Sequence, residues 1–145
     1  MVSFDFAHYC AIHKYLFEDL YEWAGKIRTV DISKKGTPFC PAVQIESTAQ
    51  AVFSRLQAQN YLRGLNKTAF TNELVDPYER TNELHPFREG NGRMQRVFLS
   101  QLTHCAGYEL DFTCIDSDDL MIATIQSAGG VDDFLKELFT EMIRD

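Results

Sequence analysis

The residues with the clearest chemical potential lie in one short stretch, HPFREGNGRMQR, which runs from His85 to Arg96. It contains a histidine, a carboxylate, a Gly-Asn-Gly turn and three arginines. An imidazole with an ordinary pKa near ~6.5 can take a proton from a hydroxyl group close to neutral pH. Its position just ahead of the turn makes His85 the candidate general base.

The turn of Gly90, Asn91 and Gly92 stands directly before a predicted helix. The glycines suit a tight turn, and the free N–H groups of the next helical turn carry the positive end of the helix dipole. Such an N-terminus is an anion site, and phosphate is its usual occupant. Arg93 and Arg96 are three residues apart and so share one helix face, where guanidinium groups suit phosphate oxygens. The sequence therefore predicts a phosphate site formed by the turn and these arginines.

Glu89 is the candidate metal ligand of this stretch. Mg²⁺ keeps most of its water and takes one or two carboxylates together with phosphate oxygens. A carboxylate directly before a phosphate site fits that requirement. The remaining histidines lack metal-ligand spacing, and no special role is predicted for His8, His13 or His104.

Phe87 lies between the candidate base and the candidate metal ligand. We expect its ring to pack inward and anchor the loop. An ordinary polar junction between two helices could contain the same glycines, and a GxG pattern alone is weak evidence. The order of a base, a carboxylate, a glycine turn and paired arginines favours a magnesium–nucleotide site instead.

The elements that must hold this stretch are mostly helical. Pro77 predicts a kink or a restart inside one of them. Alternating apolar residues around a Lys-Lys-Gly turn predict a β-hairpin over 27–43. Helical spacing of apolar residues predicts helices over 6–25, 45–64, 67–84, 92–107, 116–129 and 131–145. We expect a mainly α-helical bundle with one small hairpin, formed by a single domain over 1–145.

The composition argues against several classes of function. The 145 residues include 14 basic and 21 acidic side chains, and the formal net charge of −7 argues against general nucleic-acid binding. No apolar run approaches the roughly 20 residues of a membrane span, and no signal pattern opens the chain. The four cysteines lack CxxC spacing, which is typical of reduced thiols. We expect a cytoplasmic protein without a nucleic-acid or membrane partner.

The stretch resembles the signature of the Fic (filamentation induced by cAMP) family, HxFx(D/E)GNGRxxR. Three further segments, LFEDLYEWAGKIR, ISKKGTPFC and NELHPF, are similar to the family's first helix, its flap hairpin and its pre-motif helix. All defined positions of the signature are filled, by His85, Phe87, Glu89, Gly90, Asn91, Gly92, Arg93 and Arg96. The resemblance implies a helical Fic fold and an AMP-transferring enzyme. Such an enzyme moves AMP from ATP–Mg²⁺ to a Tyr, Thr or Ser hydroxyl of a target protein and releases pyrophosphate.

The same resemblance assigns a role to each motif residue. His85 would take the proton of the target hydroxyl, and Glu89 would hold Mg²⁺ between the α- and β-phosphates. Asn91 and the N–H groups of the glycine turn would hold the α-phosphate. Arg93 and Arg96 would bind the β- and γ-phosphates and stabilise the leaving pyrophosphate.

The predicted hairpin has two interpretations. It could simply close one end of the bundle, or it could be the family's flap, which pairs with an extended segment of the target protein. In the second interpretation the flap residues that dock the target are Ser33, Lys34, Lys35, Thr37 and Phe39.

A regulatory element of the family has no match in this sequence. Relatives are often inhibited by a helix with the pattern (S/T)xxxE, whose glutamate pairs with the last motif arginine, here Arg96. No glutamate of the 145 residues follows a Ser or Thr by four positions. The resemblance therefore leaves three alternatives for this helix: it lies on another chain, in a segment outside these 145 residues, or it is absent. In the first case the partner is a small antitoxin, as in a toxin–antitoxin pair that affects cell filamentation. The family also implies a bacterial protein, with delivery into a host cell as an alternative to the cytoplasm.

Two alternatives to AMP transfer remain open at this point. The same scaffold could transfer UMP, phosphocholine or phosphate, although a kinase-like branch has lysine where this chain has Gly92. A different class is a toxin that an antitoxin holds as a non-catalytic binding module.

Overall fold

The computed structural model describes residues 4–34 and 36–145, and these residues form a mainly α-helical bundle, as predicted. The α-helices are α1 (Phe6–Phe17), α2 (Ile45–Ala58), α3 (Lys67–Leu84), α4 (Asn91–Cys105), α5 (Ser117–Ala128) and α6 (Asp133–Met142). The strands are β1 (Ser33–Lys34), β2 (Thr37–Pro38), β3 (Glu109–Leu110) and β4 (Ile143–Arg144). Three short 3-10 helices cover Ala42–Gln44, Asn60–Leu62 and Phe112–Cys114.

Helix α3 is the central element of the core. It begins at a capped end, because the Asn66 side chain accepts the Ala69 N–H at 2.8 Å. It packs against α2, α4, α5 and α6. Beside it, Tyr9 of α1 and Phe53 of α2 both meet Phe98 of α4, with ring centroids 5.0 and 5.7 Å away. A buried aromatic cluster therefore joins α1, α2 and α4.

Of the two predicted alternatives at Pro77, a kink or a restart, the restart is wrong. The helix runs without a break from Lys67 to Leu84, and Pro77 is buried within it. Proline has a helical φ, so its cost is one missing N–H donor and local crowding. The Thr81 hydroxyl donates to the Pro77 carbonyl at 2.6 Å, and packing on four sides compensates for the lost bond.

Two predicted helices end earlier than expected. Helix α1 stops at Phe17 rather than at position 25, because residues 18–25 fold back in turns and the Gly25 N–H donates to the His13 ring at 2.9 Å. Helix α2 stops at Ala58 rather than at position 64. Three residues with φ of 55° to 61°, Asn60 to Leu62, then turn the chain with left-handed geometry.

The predicted hairpin is present but much shorter than 27–43. Strand β1 pairs antiparallel with β2, with Ser33 opposite Pro38 and Lys34 opposite Thr37. The Phe39 N–H adds one bond to the Ile32 carbonyl at 3.1 Å. Of the apolar positions before 32, Ile27 packs against the core and Val30 is exposed, and neither pairs in a strand. Lys35, the predicted tip residue, lies outside the described residues.

A second small sheet was not predicted. Strand β3 pairs antiparallel with β4, with Glu109 opposite Arg144 and Leu110 opposite Ile143. The helix predicted over 131–145 therefore ends at Met142. Among the described residues, no helix combines the length and the apolar character that a bilayer crossing requires.

Candidate active site

His85 occupies the C-terminal end of α3 in an unusual backbone conformation. Its φ and ψ are 42° and 60°, in the left-handed region, while its N–H still donates to the Thr81 carbonyl at 3.2 Å. This conformation ends the helix and turns the side chain toward the hairpin. The imidazole stacks on the Phe39 ring, with centroids 3.7 Å apart and an interplanar angle of 6°. The candidate base is therefore fixed between α3 and the hairpin.

The surroundings of His85 favour its neutral form. Burial, followed by the positive charges of Arg28 and Lys34, lowers the pKa of His85 from its ordinary value to about 4. A hydrogen bond between the ring and the Asn82 backbone acts in the opposite direction and is the smaller effect. A neutral imidazole has a free lone pair at neutral pH, which a proton acceptor requires.

Phe87 lies buried at the centre of the motif loop. Its side chain is fully buried, and its ring stacks on His13 with centroids 3.8 Å apart. The Asn91 side chain closes the loop from the other end, since its Oδ1 accepts the Phe87 N–H at 2.9 Å and its Nδ2 donates to the Phe87 carbonyl at 2.7 Å. In this structure the Asn91 amide thus holds the loop, while the Asn91 backbone opens α4.

The glycine turn leaves the start of α4 accessible. Gly90 has φ of 80°, and a Cβ there would lie 2.5 Å from the Phe17 ring, so only glycine fits. A Cβ at Gly92 would meet no atom within 4 Å. No side chain caps this helix start, and the first intrahelical bond runs from the Met94 N–H to the Gly90 carbonyl. The preceding N–H groups therefore form the kind of site that binds phosphate.

A cavity of about 370 Å³ adjoins this helix start. One side of it is polar and includes His85, Gly92 and Arg96, and the hairpin contributes Lys34, Thr37 and Phe39. The remaining lining residues are mainly apolar and include Tyr78 of α3 and Leu120, Met121, Ile125 and Ala128 of α5. A cavity that combines an anion site with an apolar lining suits a nucleotide.

The two motif arginines have different neighbours. The guanidinium of Arg93 lies 5.7 Å from the Phe17 ring centroid, and that of Arg96 lies 5.7 Å from the Phe112 ring centroid. Both side chains are exposed, and neither forms a salt bridge within residues 4–34 and 36–145. Arg96 lines the cavity, whereas Arg93 does not.

Glu89 directly precedes the glycine turn and is exposed, and it does not line the cavity. The Tyr21 hydroxyl donates to its Oε2 at 2.9 Å, which orients the carboxylate. The described residues contain no cluster of three His, Cys, Asp or Glu side chains that could hold a metal ion by themselves. The donor set fits Mg²⁺ shared with a nucleotide, since a single carboxylate oxygen suits an ion that takes its other ligands from phosphate and water. Ser33 of the hairpin is also exposed but does not line the cavity.

The sequence analysis missed three supporting residues. Arg28 is buried and hydrogen-bonds to the carbonyl of His85 at 2.8 Å. His13 is buried as well, with Nδ1 accepting the Gly25 N–H and Nε2 donating to the Glu89 carbonyl, both at 2.9 Å. Tyr21 is the third. The available signals were a lone arginine between apolar positions and a histidine on the apolar face of α1.

Comparison with known proteins shows the family. Residues 3–103 match the Fic/DOC family model, and the chain therefore belongs to the Fic/DOC family. The chain is 42% identical over 136 residues to the protein adenylyltransferase VbhT of Bartonella schoenbuchensis, a match that covers 94% of this chain and 28% of VbhT. It is 37% identical over 138 residues to Fic of Escherichia coli, named a probable protein adenylyltransferase, covering 95% of this chain and 69% of that protein.

Solved structures of Fic proteins have the same fold. BepC of Bartonella tribocorum with bound AMPPNP has a TM-score of 0.92 and 30% identity, covering 98% of this chain and 75% of that chain. The N-terminal Fic domain of a VirB-translocated Bep effector protein of Bartonella quintana, with bound ADP, has a TM-score of 0.94 and 31% identity. That match covers 98% of this chain and 74% of the other. The predicted Fic fold is thereby confirmed.

Proposed function

We propose that this chain is a protein adenylyltransferase that moves AMP from ATP to a Tyr, Thr or Ser hydroxyl of a target protein. The observation that carries the proposal is one cavity lined by His85, by the start of α4 at Gly92 and by Arg96. A proton acceptor and a phosphate site in the same cavity are the two parts that transfer of a phosphate-linked group requires. The names of VbhT and Fic as adenylyltransferases, and the nucleotides bound in the two Bartonella structures, support this assignment.

In the proposed reaction, the target hydroxyl oxygen attacks the α-phosphorus of ATP. The new oxygen–phosphorus bond forms as the bond to the bridging oxygen of the β-phosphate breaks, and pyrophosphate leaves. His85 accepts the hydroxyl proton. The N–H groups at the start of α4 hold the α-phosphate, while the positive charges of Arg96 and Arg93 stabilise the negative charge that develops on pyrophosphate. Both arginines lie in the first two turns of α4, and Arg96 lines the cavity.

Glu89 would hold Mg²⁺ in the proposed enzyme. The ion would neutralise phosphate charge and stabilise the leaving group when it is bound. The protein's part is to present one oriented carboxylate oxygen beside the anion site, which the hydrogen bond from Tyr21 supports.

The hairpin is proposed as the docking site for the target. Ser33, Lys34 and Thr37 are exposed, and Lys34, Thr37 and Phe39 line the same cavity as His85. An extended target segment that adds to this short sheet would bring its hydroxyl side chain toward the base. Lys35 belongs to the same proposal, which rests on the other four residues of the set.

A helical antitoxin partner is a further part of the proposal. Arg96 is exposed and has no carboxylate partner in the part of the chain that the structure describes. A glutamate from a partner helix could pair with it and compete with the γ-phosphate. We propose that residues 1–145 form a single catalytic domain, and that this chain and its antitoxin act in the bacterial cytoplasm. No nucleic acid or membrane takes part in the proposed reaction.

Labelling with radioactive ATP tests the proposed reaction. The chain is incubated with bacterial lysate and Mg²⁺, and either the α- or the γ-phosphate of ATP is labelled. AMP transfer predicts protein-bound label from the α-position and none from the γ-position. The His85→Ala variant should lose the signal by about 10²–10⁴-fold, whereas His104→Ala, which removes an exposed histidine outside the cavity, should retain it. Label from the γ-position would instead identify a kinase, and α-labelled UTP as the better donor would identify a uridylyltransferase.

A further inference from the structure

Arg28 is a buried cation with an unusual set of partners. Only 2% of its surface is exposed, and no carboxylate within the described residues forms a salt bridge with it. Its guanidinium donates to backbone carbonyls instead. Nε donates to His85 at 2.8 Å, Nη1 to Val30 at 2.8 Å, and Nη2 to Cys40 at 2.6 Å and Leu84 at 3.4 Å. A buried charge without a counter-ion is costly unless its donors are satisfied, and here four carbonyls satisfy them.

These four carbonyls belong to two separate parts of the site. Val30 precedes β1 and Cys40 follows β2, so both ends of the hairpin are bound to one side chain. The other two carbonyls, of Leu84 and His85, lie at the end of α3, where helix carbonyls lack intrahelical partners and a positive charge is favourable. Arg28 therefore joins the base of the hairpin to the residue that carries the imidazole.

We propose that Arg28 is a positioning residue for His85, which holds the His85 backbone in its left-handed conformation and fixes the hairpin against it. The inference rests on the proposed role of His85 as the base. Arg28 itself does not line the cavity and is not proposed to touch either substrate. Lysine could not replace it, because an ammonium group lacks the planar fork that reaches several carbonyls at once.

The positioning role also has an electrostatic consequence. The charged groups around His85 are Arg28, Lys34 of the hairpin and Arg96 of α4, while the Glu83 side chain on α3 is exposed. The positive charge of Arg28 is, after burial, the second cause that lowers the pKa of His85. A neutral side chain at position 28 should therefore raise the pKa of His85. A lysine at this position keeps the positive charge but lacks the planar guanidinium, so the pKa of His85 should stay low.

Three variants separate these effects: Arg28→Gln, Arg28→Lys and, as the matched control, Arg55→Gln, which removes a surface arginine paired with Asp76. The His85 titration is followed by NMR on isotope-labelled histidine and assigned with His85→Ala. Transfer of α-labelled AMP is measured across pH on the same proteins.

We expect Arg28→Gln to raise the His85 midpoint and the acidic limb of kcat/KM by about one pH unit. Arg28→Lys should keep both near the wild-type position but lower kcat about 10- to 100-fold, because the backbone that aims the ring is no longer fixed. Arg55→Gln should change neither quantity.

Two results would overturn the inference. One is a His85 midpoint in Arg28→Gln that equals that of Arg55→Gln. The other is a wild-type kcat for a correctly folded Arg28→Lys variant. This second test can still be made if Arg28→Gln does not fold. Failure of the proposed function has a different signature, since wild-type protein would then transfer no AMP while the NMR midpoints still report the effect of Arg28 on His85.

Discussion

The imidazole of His85 lies parallel to the phenyl ring of Phe39, with ring centroids 3.7 Å apart. Phe39 directly follows β2, and its N–H donates across the hairpin to the Ile32 carbonyl. The cover over the candidate base is thus part of the proposed docking element. Because burial is the first cause that lowers the pKa of His85, the hairpin contributes to the charge state of the base as well as to its orientation.

Replacing Phe39 with alanine should therefore impair the base without unfolding the protein. We expect kcat/KM for AMP transfer to fall about 10-fold or more, because the imidazole of His85 loses its fixed orientation. The acidic limb of the pH profile should also move to higher pH, because His85 becomes less buried. Val43→Ala is the matched control, because Val43 is 94% exposed just beyond the hairpin. Equal kcat/KM for the two variants would show that the stack has no functional role.

The wild-type pH profile follows from the lowered pKa of His85. A histidine that titrates at about 4 stays neutral, and so competent as a base, well below the ordinary value near ~6.5. Transfer should consequently persist through pH 5 to 6 on the proposed assignment, with loss only as pH falls toward the folded-state pKa. The measurement is kcat/KM from about pH 4 to 8 with the folded fraction checked by circular dichroism. An acidic limb centred near ~6.5 would mean that His85 is solvated in solution.

The two glycines of the turn should tolerate alanine differently. At Gly90 the positive φ and the nearby Phe17 ring both oppose a Cβ, so Gly90→Ala should destabilise the fold by on the order of 1–3 kcal/mol. At Gly92 the space is open, so Gly92→Ala should keep the melting temperature while the methyl group obstructs bound phosphate. Thermal unfolding and ATP affinity distinguish the two effects. Gly92→Ala with unchanged ATP affinity would remove the helix start from the phosphate site.

Tyr21→Phe should weaken Mg²⁺ binding by Glu89 through the loss of one hydroxyl group. The variant removes the hydroxyl that donates to Glu89 Oε2 at 2.9 Å and retains the aromatic ring, which stacks on Trp23 with centroids 4.3 Å apart. We expect the Mg²⁺ midpoint for transfer to rise while the melting temperature stays constant. Tyr15→Phe is the control, because Tyr15 is 82% exposed and takes no part in this hydrogen bond. A Mg²⁺ midpoint that matches the control would separate Tyr21 from metal binding.

The sequence predicts the helical class well, because that class depends on local signals. Apolar spacing locates the six α-helices of residues 4–34 and 36–145, and the ring of Phe87, which lies between polar residues of the motif, is buried. The failures arise where distant contacts override local preference. Pro77 does not end α3, because packing on several sides compensates for one missing N–H.

The supporting residues of the site depend on contacts that are far apart in sequence. Arg28 binds a carbonyl 57 positions later, and His13 binds one 76 positions later. No spacing rule relates such residues, so the sequence shows only a single arginine and a single histidine among apolar neighbours. The second sheet is missed for the same reason. Strands β3 and β4 are only two residues long, and helices α5 and α6 lie between them in the sequence.

The most direct test of the central claim is the mass of a modified target peptide. The chain is incubated with ATP, Mg²⁺ and bacterial lysate. The proteins of this reaction, and those of a parallel reaction with His85→Ala, are digested and analysed by mass spectrometry. We predict a peptide with one added adenylyl group on a Tyr, Thr or Ser side chain, present with wild-type protein and absent with His85→Ala. An adenylyl group that appears equally in both reactions would contradict the assignment of His85 as the base, and an added phosphate would contradict AMP transfer itself.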